Sequence, residues 1–292
     1  SPEYYVGVGR SLEQWFALTG TRFEALGTDR KVYVFTAGTN QDITPIRETA
    51  TLVNAITTTN TSATLTISDT AHGADVGDFV TLSSVSANVG GILSTVLDAE
   101  YEILTITNVD AYTILSSATA TSTAGPTANC TATYQLNIGP NEQTFGYGWG
   151  SGTWSASTWG TARATSNVTL DARLWSINNW GEDLIITQKD GGTYEWDTSG
   201  GMSDNRATVI ANAPTTSTLS IISTETRHVI CMGTETTIST PATQDKMFIR
   251  WSDQENYNYW TPNVTNSAGS QRIAGGSEIR CARPAKGTIL VW

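Results

Sequence analysis

Apolar and polar residues alternate over short stretches of this chain, and Gly, Asn, Asp and Pro separate the stretches. Ala63-Thr-Leu-Thr-Ile67, Phe79-Val-Thr-Leu-Ser83 and Ala111-Tyr-Thr-Ile-Leu115 follow a period of two. That period turns one face to a core and the other to solvent, so each predicts a strand. Glu100–Ile106 and Thr131–Leu136 read the same way, and Asn108-Val-Asp110 is the turn between two of these strands. A longer turn is expected over Asp69–Asp78, which carries Gly73 and Gly77, and Gly90-Gly91 breaks the chain again. Upstream, Arg30–Thr36 alternates and runs into Ala37-Gly38. The following Asp42-Ile-Thr-Pro45 is a stiff, extended exit, because the residue before proline is pushed out of the helical region.

Downstream the pattern changes to apolar runs that sit near Gly or Trp. Asp183-Leu-Ile-Ile-Thr187 is followed by Gly191-Gly192 and Thr193-Tyr-Glu-Trp196. Residues 227–232, 247–251 and 287–292 repeat the theme. A recurrence of roughly 40–60 residues suits the blades of a β-propeller. Between the two textures, Phe145–Gly160 is a Gly/Trp segment with Trp149, Trp154 and Trp159 five apart. Five fits neither a helix face nor one strand face. The segment is therefore expected to be a loop anchored by those three rings.

Composition sharpens the division. All ten tryptophans lie outside residues 49–137, and that window holds no Lys or Arg but seven acids. A shift of that kind predicts one β domain inserted into another: residues 1–48 and 138–292 form a propeller-like domain, and 49–137 form a small barrel or sandwich. The expected class is all-β, since Thr, Val, Ile, Tyr and Trp favour strands. The net charge is −11. Such a surface repels phosphate and argues against sequence-independent DNA binding. Because the first Met is Met202 and the end falls inside an apparent strand, the sequence reads as a fragment, incomplete at its C-terminus.

Candidate chemistry is sparse. His72 and His228 stand in no ligand motif, so no metal is expected, and no cofactor. Cys130, Cys231 and Cys281 show no paired spacing, which favours buried thiols over disulfides. There is no Gly-x-Ser-x-Gly elbow. Gly146–Gly150 is not followed by a helix pattern or a lysine, so it is a poor phosphate cradle. Four Asn-x-Ser/Thr sequons, at Asn60, Asn129, Asn167 and Asn263, are near chance for so Thr-rich a chain. Trp251, Tyr257, Tyr259 and Trp260 form an aromatic group with two readings. They could stack on a sugar, or they could pack blade to blade or subunit to subunit; packing is preferred.

Three segments resemble structural proteins of short-tailed bacteriophages: Asp42–Arg47, Phe145–Gly160, and Ile249–Glu255 followed by Tyr259–Pro262 and Ala268–Ser270. In that order they resemble tail hub or nozzle proteins, which form the tip of the tail tube. The stretch Ala71–Val80 with Gly90-Gly-Ile92 resembles a small β module common in phage virion proteins. The resemblance implies a virion part that is not an enzyme, located in the tail. It implies a ring of copies, a hexamer, that extends or gates the DNA-ejection channel. Other tail proteins (adaptor and fibres) would be its partners, with DNA in transient passage and a host surface as a further contact. A closed ring would hide sheet edges and use heterologous contacts. Two alternatives remain open: a carbohydrate-binding adhesin on the same scaffold, and a propeller hydrolase or lyase, for which no pair of acids stands out.

Overall fold

The computed structural model describes residues 5–139 and 171–292. The chain divides into two compact units, one of Ser1–Ile43 with Gly139–Trp292 and one of Thr44–Ile138. The class is all-β: twenty-two strands, one four-residue α-helix, Ser94–Leu97, and two three-residue 3-10 turns are present among the described residues.

The tryptophan-bearing unit is built from antiparallel up-and-down sheets. The first is β1 (Gly9–Phe16), β2 (Arg22–Thr28), β3 (Val32–Thr36) and β4 (Thr39–Asp42), hydrogen-bonded in that order. After the inserted unit come β13 (Trp175–Trp180), β14 (Asp183–Gln188), β15 (Thr193–Trp196) and β16 (Thr208–Val209), again in chain order. The third sheet is β17 (Leu219–Ile222), β18 (Val229–Met232), β19 (Phe248–Trp251) and β20 (Gly269–Arg272). A hairpin of β21 (Ala282–Ala285) and β22 (Thr288–Val291) follows. A four-stranded up-and-down sheet is the repeating piece of a propeller; the described residues do not close a ring of them. The first strands of successive sheets lie side by side, β1 against β13, β13 against β17 and β17 against β21.

The sheets of this unit are held together by tryptophan. Trp15 of the first sheet donates its indole N–H to the carbonyl of Glu182 at 2.8 Å, and Trp175 of the second donates to the carbonyl of Thr28 at 2.8 Å. Trp15 and Phe23 stack, and both meet Trp196 edge-on at 6.3 and 6.1 Å. Trp175 fits because residue 27 is glycine: a Cβ there would lie 2.9 Å from its ring. Between the second and third sheets the core is Trp180, Ile185, Val229, Cys231 and Trp260. Between the third sheet and the hairpin it is Ile221, Ile230, Met232, Met247 and Ala282.

The other unit is one eight-stranded sheet around a single core. Its order is β11 (Ala124–Thr127), β6 (Ile56–Thr58), β7 (Thr64–Ser68), β10 (Ala111–Leu115), β9 (Glu100–Asn108), β8 (Phe79–Ser83), β12 (Cys130–Gln135) and β5 (Ile46–Leu52). Strand β9 joins two halves, pairing with β8 over Glu100–Glu102 and with β10 over Ile103–Asn108. The sheet is open, with β11 and β5 as its edges, so it is sandwich-like and not a closed barrel. The entering and leaving strands pair with each other, Gln135 opposite Ile46, and the Leu136 N–H donates to the Pro45 carbonyl at 3.0 Å. Inside the unit, Tyr112 and Tyr134 share a hydroxyl contact of 2.9 Å and Tyr134 donates to Asp69 at 2.6 Å.

Candidate functional site

The four aromatic positions singled out by sequence do not share one surface. Trp260 is 1 % exposed, packed with Trp180 and Val229, and its indole N–H donates to the Tyr257 carbonyl at 2.6 Å. Of the two readings of this residue, sugar stacking and packing, the first does not extend to Trp260, because a ring enclosed by core side chains offers no face to a sugar. Trp251 is half-buried and donates to the Ser267 carbonyl at 2.8 Å. Its ring lies on Gly269, where a Cβ would come within 2.2 Å. Tyr257 meets Trp180 edge to face at 5.4 Å and donates a hydrogen bond from its hydroxyl to Glu195. Burial pushes the Glu195 carboxyl up; the Tyr257 hydrogen bond opposes this, and Asp183 and Asp197 add to it. Burial, then Glu195, pushes the Tyr257 hydroxyl up as well. Tyr259 alone of the four is exposed, at 59 %. Trp149, Trp154 and Trp159 lie outside the described residues.

At the end of the sheets where β1 turns into β2 and β13 into β14 lies a groove of about 600 Å³, walled by Leu18, Phe23, Trp180, Glu182, Asp197 and Arg227. Its aromatic walls are largely covered: Arg227 lies over Trp180 at 4.5 Å and is tied to Glu255 at 3.0 Å.

A second cavity, of about 420 Å³, lies among the first strands and was not visible from sequence. Arg10, Lys189, Arg280 and Arg283 line it against one carboxylate, Glu13. Burial raises the Glu13 pKa, and the charge of Arg283 lowers it in part. Just outside the lining, Asp171 accepts from Lys189 at 2.7 Å and lies 3.5 Å from Arg280, which also meets Glu278 at 2.8 Å. Burial acts to raise Asp171, but the Lys189 hydrogen bond and charge, with Arg280, prevail and hold its pKa below the ordinary value. Arg10 donates to the Arg173 carbonyl at 2.9 Å. The Ser11 hydroxyl, also in the lining, is buried and has no hydrogen-bond partner among the described residues.

No family model and no curated protein matches this chain. Among solved structures it is similar to a phage phi92 endosialidase. The two are 13 % identical with a TM-score of 0.27, over 93 % of this chain and 39 % of that one. The chain thus spans about two fifths of that protein's length. So low a TM-score carries no argument for a shared mechanism. One expectation is nevertheless corrected by it. The assignment of this chain as a non-enzyme is withdrawn, because this neighbour is by name an enzyme.

Chemically, the two places differ. The groove is acidic and hydrogen-bonded to itself: Asp183 accepts from the Thr198 N–H and hydroxyl at 3.0 and 2.7 Å, and Asp197 from the Ser199 N–H at 2.7 Å. The cavity among the first strands gathers cations in a chain that is otherwise acidic. Its residues come from positions 10–13, 174–178, 189, 218–221 and 280–283, so no local motif announces them. The one signal available was the isolated cations in segments poor in charge. Each histidine is tied to nearby backbone. His72 is buried and its Nδ1 accepts from the Ala74 N–H at 3.1 Å, while His228 Nδ1 lies 2.8 Å from the Ser252 carbonyl. Cys130 and Cys231 are buried free thiols, whereas Cys281 is exposed.

Proposed function

We propose that this chain is a building part of a short-tailed phage tail, a nozzle or hub protein that assembles as a ring of copies around the DNA-ejection channel. The observation that carries this reading is the ordered set of three segments that resemble such proteins: Asp42–Arg47, Phe145–Gly160, and Ile249–Glu255 followed by Tyr259–Pro262 and Ala268–Ser270. The architecture is compatible with it. Successive up-and-down sheets meet through their first strands, and a chain of net charge −11 does not hold passing DNA by its phosphates. In this reading Thr44–Ile138 is an insert whose ends, held together by β5 and β12, let the surrounding unit continue. Tail adaptor and fibre proteins are its neighbours.

The adhesin alternative is weakened at its own residues, since Trp260 is enclosed and Trp251 is half-buried. Electron microscopy of the purified protein, and of virions labelled on it, tests the proposal. Sixfold rings at the tail tip are the expected result. A monodisperse monomer at every concentration, with label elsewhere than the tail, would overturn it.

A further inference from the structure

We propose that the loop Asp69–Asp78 is an acid-sensitive clasp on the two ends of the inserted unit, with neutral His72 as its catch. The inference does not depend on the role in a tail. The loop holds the chain near both points where it enters and leaves Thr44–Ile138. On the entering side, Arg47 of β5 donates to the His72 carbonyl at 2.8 Å. On the leaving side, Asn137 donates to the Gly73 carbonyl at 3.1 Å, and the Ile138 N–H donates to Asp78 at 2.7 Å. His72 fixes the middle of the loop: it is 3 % exposed, and its ring meets that of Tyr112 at 5.1 Å. Its Nδ1 accepts from the Ala74 N–H at 3.1 Å, so that nitrogen carries no proton. Nε2, 3.2 Å from the Asn108 carbonyl, then carries the one proton of a neutral ring. A second proton would set Nδ1–H against the Ala74 N–H and hold a charge away from water. The loop therefore closes only around the neutral ring.

The groups around the loop offer the ring no other partner. Arg47, over the ring of Tyr134, opposes an imidazolium, whereas Asp69, Asp75, Asp78 and Asp110 favour one. These carboxylates are engaged elsewhere: Asp69 with Tyr134, Asp110 with the Ala71 N–H, Asp75 with Asn137, and Asp78 with the Asp75 and Ile138 N–H groups. Glu102 of β9 faces the far end of the loop at Gly77. On either side of His72 the backbone lies in the left-handed region, φ 55° at Ala71 and 59° at Gly73, a geometry that side-chain bonds must hold.

Hydrogen exchange of the full chain, read by mass spectrometry and corrected for the intrinsic rate, tests the clasp from about pH 7.5 to about 5.5, where histidine charges. His72 is the only histidine of the inserted unit. In an unfolded chain histidine takes its proton near ~6.5, and opening linked to one proton gains at most about tenfold per pH unit below that. Protection of residues 70–78 should therefore fall by about tenfold over the range, and that of Ile138 with it. Asparagine at position 72 keeps an acceptor for the N–H two residues on, as in an Asx turn, but does not titrate. His72→Asn should abolish the fall. A fall that persists in His72→Asn overturns the proposal, and so does flat protection in the unaltered chain. Ring-nitrogen NMR of the unaltered chain supplies a second reading that needs no variant. A neutral ring with its proton on Nε2 is expected at about pH 7.5. An imidazolium inside a loop still protected at about pH 5.5 overturns the proposal.

Discussion

Each of five tryptophans (Trp15, Trp175, Trp196, Trp251 and Trp260) gives its indole N–H to a backbone carbonyl. A tryptophan combines a large apolar area with one donor that must be met when buried. It can therefore fill the space between two sheets and fix a loop with the same side chain. The residue type was legible in the sequence, because tryptophan is confined to one part of the chain; the receiving carbonyl was not, since for Trp15 and Trp175 it lies on a distant segment and for Trp196, Trp251 and Trp260 it depends on how a nearby loop folds back. Trp260 shows the consequence, for an aromatic beside Tyr259 reads like a surface platform until its environment is known. Replacing a fully buried aromatic by alanine costs about 3–5 kcal/mol, so Trp260→Ala should lower the denaturant midpoint sharply. Tyr259→Ala, at an exposed position, should change stability by no more than about 0.5 kcal/mol. A Trp260→Ala protein of unchanged stability would show that the ring is not a core element.

At the scale of strands, legibility follows burial. The period-two stretches at 63–67, 79–83 and 111–115 lie on β7, β8 and β10, because each has one buried face and one face that is less covered. The apolar runs of β14 and β18 were equally plain, being covered on both faces. Strand β1 was missed for the opposite reason. Leu12 and Phe16 point outward, at 70 and 62 % exposure, while Glu13 lies half-buried, so its pattern inverts the usual one. The number of strands in the inserted unit was also underestimated, since β6 and β11 are short and Thr-rich or Gly/Pro-bearing.

The contact between Tyr112 of β10 and Tyr134 of β12, which are not neighbours in the sheet, carries a prediction of its own. Burial pushes up the hydroxyls of Tyr112 and Tyr134, where the hydrogen bond to Asp69 adds to it, and burial raises the Cys130 thiol to about 11. In the unfolded chain a tyrosine loses its proton near ~10. The folded state binds these protons more tightly, so their contribution to stability is complete below the unfolded values. It is lost as pH rises toward the folded ones. Alkaline titration should show phenolate absorbance from these tyrosines rising together with loss of β-sheet circular dichroism. Gradual ionisation with the fold intact would contradict this. Tyr134→Phe, which leaves Asp69 without its donor, should cost about 1–3 kcal/mol.

At the scale of the whole molecule, the account depends on two separate cores in one chain. One gathers its apolar residues on eight strands of Thr44–Ile138, and the other is bolted by tryptophans from sequence-distant sheets. The break in composition was legible in sequence. The cavity among the first strands was not, because it exists only once four sheets meet. Tryptophan is absent from residues 44–138, which makes the two cores separately observable. The most direct measurement is thermal unfolding of the full chain, followed by tryptophan fluorescence and by circular dichroism, beside residues 44–138 expressed alone. The account predicts that the fragment melts cooperatively as a β protein. It also predicts that the full chain shows a circular-dichroism transition to which tryptophan fluorescence is blind. An unstructured fragment, together with one transition seen identically by both probes, would contradict it.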